Sequence, residues 1–226
     1  MPASVDLAIA VGDGAGDVSG LLARPANARA LYVLAHGAGA GMRHPFLERV
    51  AERLGDQAIA TLRYQFPYME RRAGRPDPPA VAERTVRAAV LEAARAAPGL
   101  PLVAGGKSFG GRMTSAAQAN EPLPGVRGLV FLGFPLHPPG RPGTARAEHL
   151  FRIEVPMLFV QGTRDEFAAL DLLRPVIERL GERATLALVE GGDHSFCVLK
   201  RAGRSEAAVM DELVSTIAAW VSGVTR

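Results

Sequence analysis

The chain has 226 residues, 48 % of them hydrophobic, and a formal net charge of +3. That is enough for one well-packed domain, so a single domain over 1–226 is expected, and it is too apolar for a disordered chain. Lys107 and Lys200 are the only lysines; the other basic residues are arginines scattered among acids. Two short clusters, Arg71–Arg75 and Lys200–Arg204, have no interleaved aromatics. No basic stripe is visible, and no nucleic-acid partner is expected. No apolar run reads as long enough to cross a bilayer, so no membrane partner is expected either. The N-terminus carries an early acid, Asp6, has no basic segment, and does not read as a signal peptide. Cys197 is the one cysteine, which excludes an internal disulfide and points to the cytoplasm.

Strands and helices alternate along the chain. The stretches around Val5–Ile9 and Asp17–Leu22 read as an antiparallel hairpin at a sheet edge. Ala30–Ala35 (ALYVLA) is a continuous apolar run, as in a strand buried on both faces. His44–Leu54 has helical spacing of Phe46, Leu47, Val50 and Leu54, and Ala58–Leu62 is a short strand. Asp77 precedes two prolines and an alanine-rich stretch, which predicts a helix capped by Asp77 and ending at Pro98–Gly99. Leu100–Ala104 is a strand running into GGKSFGG, and Met113–Ala119 a helix. Val126–Leu132, Pro156–Val160 and Ala184–Val189 are strands, with a helix over Ala168–Leu180. Ser205 opens a last helix with Val209, Leu213, Ile217 and Trp220 near one face. This order predicts an α/β protein: a three-layer sandwich around a mostly parallel, twisted sheet. Ligands in such sheets sit beyond the carboxyl ends of the strands.

The segment Gly105–Gly111 (GGKSFGG) has two readings. A phosphate loop, G-x-x-x-x-G-K-[ST], would need glycine at position 101, which is Pro101, and would put Leu102 and Val103 in the exposed loop. Those residues read as strand, so the phosphate reading fails. Gly106-Lys107-Ser108-Phe109-Gly110 fits G-x-S-x-G between a strand and a helix, the turn that lifts a nucleophilic serine above a sheet.

A serine hydroxyl needs a base, and the base needs an acid to orient it. On this architecture the chain order is serine, acid, histidine. His194, in the glycine-rich loop after Ala184–Val189, stands where the base belongs. His137 lies before any acid candidate and reads as pocket rim or loop structure; His149 reads as a packing or surface histidine of a helix. Asp165 and Glu166 follow the preceding strand, and either could be the acid. Asp193, adjacent to His194, reads as a local cap. For the oxyanion, the Phe109 N–H is one expected donor, and the loop His36–Gly41 supplies another, Ala38 or else Gly39. His36 reads as structural.

Taken together, HGAGAGM (His36–Met42), RYQFPYM (Arg63–Met69), GGKSFGGRM (Gly105–Met113), GFPLHPPG (Gly133–Gly140), GTRDEF (Gly162–Phe167) and DHSF (Asp193–Phe196) resemble the α/β-hydrolase superfamily. The resemblance is to a small, lidless branch of predicted hydrolases, dienelactone-hydrolase-like and related to a regulatory subunit of the NSL acetyltransferase complex. It implies the α/β-hydrolase fold and a catalytic triad of Ser108, Asp165 and His194, with GTRD favouring Asp165 over Glu166. Dienelactone hydrolases use cysteine where this chain has Ser108.

The segment of about twenty residues between Phe134 and Pro156 is short and proline-rich where larger relatives insert a lid, so an open site is expected. Gly39, Tyr64, Phe66, Tyr68, Phe134, Leu136 and Phe196 follow strand ends and are expected to line an apolar pocket. Lys107 and Arg112 lie near the nucleophile and could favour an acidic substrate. The expected function is hydrolysis of an ester or thioester of a small soluble molecule, with no cofactor and no metal. Acyl transfer by the same triad and a non-catalytic interaction scaffold remain open alternatives.

Overall fold

A computed structural model describes residues 4–12, 14–199 and 203–226. Part of the Lys200–Arg204 cluster and the first three residues therefore lie outside the described residues. Eight strands form one sheet: β1 (Ser4–Ala10), β2 (Asp17–Ala23), β3 (Ala30–Ala35), β4 (Ile59–Tyr64), β5 (Leu102–Lys107), β6 (Val126–Leu132), β7 (Met157–Gly162) and β8 (Ala184–Val189). Their spatial order is β1-β2-β4-β3-β5-β6-β7-β8. The β1–β2 and β2–β4 pairings are antiparallel and all others parallel. The expected edge hairpin and mostly parallel sheet are both present.

The helices are α1 (Pro45–Asp56), α2 (Pro67–Glu70), α3 (Pro79–Ala96), α4 (Phe109–Asn120), α5 (Leu170–Leu180) and α6 (Glu206–Val224). Both sheet faces are covered. On one, Leu47, Val50 and Leu54 of α1 and Val209, Leu213 and Ile217 of α6 meet Tyr32, Leu34, Val130 and Leu158. On the other, Val86 and Val90 of α3, Met113 and Ala117 of α4, and Leu173 of α5 meet Leu31, Val33, Leu129 and Phe159. Every residue of β3, β4 and β7 is buried, which is why these strands read as unbroken apolar runs rather than alternating ones. No lid domain stands between β6 and β7; that connection holds only a 3₁₀ segment, Ala145–Arg152.

Two expectations are corrected. Asp77 does not cap α3, whose N-cap is Pro78. Instead Asp77 is buried, and its carboxylate accepts the Tyr68 N–H (2.7 Å) and the Arg71 guanidinium (2.5 Å). Closing the α2 turn thus takes the oxygens that a cap would need. In addition, α6 is long and apolar enough to cross a bilayer, with a mean hydropathy of 1.3 over its most apolar window. Six of its side chains are buried in the fold, including Val209, Leu213 and Ile217, and the Ser205 hydroxyl caps it by accepting the Ala208 N–H. That packing against the sheet accounts for its hydropathy.

The strand sequence switches direction between β3 and β5, which are neighbours and are followed by connections to opposite sides. A crevice forms at such a point beyond the carboxyl ends of the strands. The loop after β3 and the turn after β5 both open there.

Candidate active site

The turn after β5 is strained. Ser108 has φ +49° and ψ −114°, a left-handed conformation that an ordinary side chain adopts at a cost. It is held by its N–H bonded to Leu132 O and by its carbonyl accepting the Arg112 N–H. The flanking glycines are dictated by space: a Cβ on Gly106 would lie 2.3 Å from Ala35 O, and one on Gly110 would lie 2.5 Å from His36 O. With those contacts permitted, α4 starts at Phe109, immediately after the serine, and aims its N-terminus at the Ser108 hydroxyl.

Ser108 Oγ–H donates to His194 Nε2 at 2.8 Å, and His194 Nδ1–H donates to Asp165 Oδ2 at 2.7 Å. The structure therefore brings the three expected residues into one hydrogen-bonded chain. Glu166 is exposed and takes no part. The Asp165 side chain is only 1 % exposed and its oxygens are satisfied. Oδ1 accepts the Phe167 N–H (2.8 Å), and Oδ2 accepts the Gln161 side-chain amide as well as the imidazole. Gln161 is fully buried and its Oε1 accepts the Phe134 N–H, which fixes its amide nitrogen toward Asp165. The His194 ring lies against Phe167, ring centres 4.2 Å apart. Asp193 accepts the N–H groups of Ser195 and Cys197 and so pins the histidine loop locally, as expected.

His36, His137 and His149 are structural. His36 is fully buried; its Nε2 accepts the Phe66 N–H, so the proton resides on Nδ1 and is donated to Gly37 O. Burial pulls its pKa down to about 4, against a rise from the Gly37 bond. His137 joins the loop after β6 to the start of α5 by accepting the Ala169 N–H. His149 bonds Ser115 Oγ (2.7 Å), and burial, with the Arg112 and Arg152 charges, lowers its pKa to about 4.

Ala38 is exposed beside the serine, and neither its N–H nor that of Phe109 has an acceptor among the described residues. The Gly39 N–H is taken by the Tyr68 hydroxyl (2.9 Å). A groove of about 420 Å³ opens at Ser108 and His194. Gly37, Ala38, Ala40, Pro45, Phe46, Leu47 and Phe167 supply its apolar walls, and His44, Arg49, Lys107 and Cys197 its polar ones. The expected lining is corrected here. Tyr64, Phe66, Tyr68, Phe134, Leu136 and Phe196 are all buried in the core and none of them, nor Gly39, borders this groove. A larger hollow of about 670 Å³, bordered by Ala30, Ile59 and Ser222, lies at the amino ends of the strands, away from all three residues of the chain.

Gln161, Phe167 and Lys107 are site residues whose roles the sequence did not disclose. Lys107 borders the groove, and its ammonium donates to the His194 carbonyl at 2.6 Å. Arg112 is half-buried beside His149. No group of three or more His, Cys, Asp or Glu with the geometry to hold a metal occurs among the described residues.

Residues 28–222 match the alpha/beta hydrolase domain family. Among solved structures, a dienelactone hydrolase from Anabaena variabilis superposes with a TM-score of 0.80 at 20 % identity, covering 100 % of this chain and 99 % of that one. A serine hydrolase without lid from Xanthomonas campestris gives 0.72 at 18 % identity, covering 97 % and 94 %. An esterase domain of a Rhodothermus marinus protein gives 0.74 at 15 % identity, covering 99 % and 100 %. At these identities the likeness is one of fold. With its lidless sheet, its serine turn and the match over nearly all of its length, the chain belongs to the alpha/beta hydrolase domain family.

Proposed function

We propose that this protein is a serine hydrolase that cleaves an ester or thioester of a small molecule through an acyl-enzyme. The observation that carries the reading is the unbroken chain from Ser108 Oγ through His194 to Asp165. Ser108 attacks the carbonyl as His194 Nε2 takes its proton. Asp165 holds the imidazole in the tautomer with Nδ1 protonated and faces the positive charge that develops on the ring. The N–H groups of Ala38 and Phe109 bind the oxyanion, each worth roughly 3–4 kcal/mol of transition-state stabilisation. His194 then returns the proton to the leaving group, and water, activated in the same way, releases the acid.

The groove walls at Pro45, Phe46, Leu47 and Phe167 favour an apolar group on one side of the scissile bond. A cytoplasmic location belongs to the same proposal, since one exposed thiol, Cys197, fits a reducing compartment. A panel of small esters and thioesters, assayed for free acid with and without added alcohol, tests the reading. Release of acid by wild type and none by Ser108→Ala is the expected result. Equal turnover by both, or none by either across the panel, overturns it.

A further inference from the structure

Lys107 occupies the variable position immediately before the serine, where the G-x-S-x-G pattern asks for no particular residue. Its ammonium group is nevertheless placed deep in the site. It donates to the His194 carbonyl at 2.6 Å, and it lies 5.5 Å from the centre of the Phe196 ring, on the same loop. A single point at Gly133 fixes its relation to the other groups. A Cβ added there would meet Lys107 Nζ at 3.0 Å, and Asp165 Oδ2 and His194 Nδ1 each at 3.4 Å. The bare glycine thus leaves the space into which the ammonium, the carboxylate and the imidazole converge. Lys107 makes no direct ion pair among the described residues; Asp165 and Asp193 act on its charge from beyond contact distance, and its one direct bond is to the His194 carbonyl.

We propose that Lys107 is a positioning residue, which holds the His194 loop by its backbone carbonyl so that the imidazole stays between Asp165 and Ser108. This rests on the hydrolase reading of the site. The histidine loop leaves the edge strand β8, which has a neighbour on one side only, whereas Lys107 belongs to β5 in the middle of the sheet. A charge-assisted bond between them ties the loop beyond the edge strand to the middle of the sheet. Burial supports a functional reason for the charge, because it pulls the ammonium down to about 8 against the opposing effect of Asp165 and Asp193. A lysine kept only for packing would be better replaced by an apolar side chain of similar length.

The test compares wild type, Lys107→Met and Lys107→Arg by two readouts. One is the rate constant for labelling by a fluorophosphonate. The other, which needs no activity, is the far-downfield proton resonance of the His194 Nδ1–H bonded to a carboxylate. With a native near-ultraviolet circular dichroism spectrum, Lys107→Met is expected to label roughly ten- to a hundredfold more slowly and to lose or broaden that resonance. Lys107→Arg, which keeps a charged donor, is expected to recover part of both. Should Met at this position prevent folding, Lys107→Gln gives the same comparison. Wild-type labelling and an unchanged resonance in Lys107→Met overturn the proposal and leave the serine reading standing. A wild type that never labels, with a resonance that Lys107→Met abolishes, supports the positioning role and overturns the hydrolase reading.

Discussion

Two histidines lie beyond the carboxyl ends of strands, one in the middle of the sheet and one at its edge, and their surroundings differ. His36, after β3, is sealed in the interior with both ring nitrogens bonded to backbone groups, Gly37 O and the Phe66 N–H. His194, beyond β8, is partly exposed to a groove and bonds two side chains, Asp165 and Ser108. The nitrogen of the Phe66 backbone amide is no nucleophile, so the His36 imidazole bonded to it serves to fasten the loop that presents Ala38. The Ser108 oxygen becomes one when its proton leaves, and the carboxylate behind the His194 ring favours that transfer. What separates a structural histidine from the proposed catalytic one is the chemistry of its two partners; both lie beyond carboxyl ends of strands, His36 after the central β3 and His194 after the edge strand β8.

The largest expected effect comes from breaking the second environment. His194→Ala should lower fluorophosphonate labelling by about three to four orders of magnitude, with a thermal midpoint close to wild type because the side chain is partly exposed. Asp165→Asn should follow at about three orders, since the amide can neither enforce the tautomer nor balance an imidazolium. A loss of less than tenfold in either variant would remove the distinction drawn between the two sites. His36→Phe should do the reverse. It leaves the Phe66 N–H without its acceptor, at about 1–3 kcal/mol of stability measured by urea unfolding, while labelling per folded molecule stays within a few-fold of wild type. A His36 variant that folds normally and does not label would mean that its loop position matters less than its ring.

A smaller, pH-dependent effect belongs to Lys107. Its folded-state pKa lies at about 8, below its ordinary value of 10.5. Between those two values the unfolded chain binds a proton that the folded chain has released, so this residue makes stability rise with pH through that window. Below pH 8 the buried charge opposes folding by a constant amount. The thermal midpoint of wild type relative to Lys107→Met should therefore be flat up to about pH 8 and shift in favour of wild type toward pH 10.5. A difference that stays constant over the whole range would show that the ammonium is not buried at cost.

Much of the site was legible because the turn chemistry is local. G-x-S-x-G after a strand, and Asp165 and His194 each just past a later one, place three residues at one edge of any parallel sheet. The two oxyanion candidates followed from the same turns. The aromatics were not legible, because following a strand end does not say which way a side chain points. Tyr64 is still in β4 and buried, and Phe66 and Tyr68 turn inward to pack on His36. Gly105 and Gly106 disguised the end of β5, which runs on to Lys107, because glycine reads as a strand breaker. Gly110 and Gly111 likewise hid the first turn of α4, being poor helix formers required there by the close approach of β3 and β5. Gln161 gave no signal and Lys107 only its place beside the serine, since their partners, Asp165 and the His194 carbonyl, are neighbours only once the sheet is assembled.

The most direct test of the account is to treat folded protein with a fluorophosphonate and locate the label by peptide mass spectrometry, in wild type and in Ser108→Ala. One label per chain on Ser108, absent from the variant, is the predicted result. Folded wild type that takes up no label, or a label that persists in Ser108→Ala, would contradict the claim that this chain carries an activated serine.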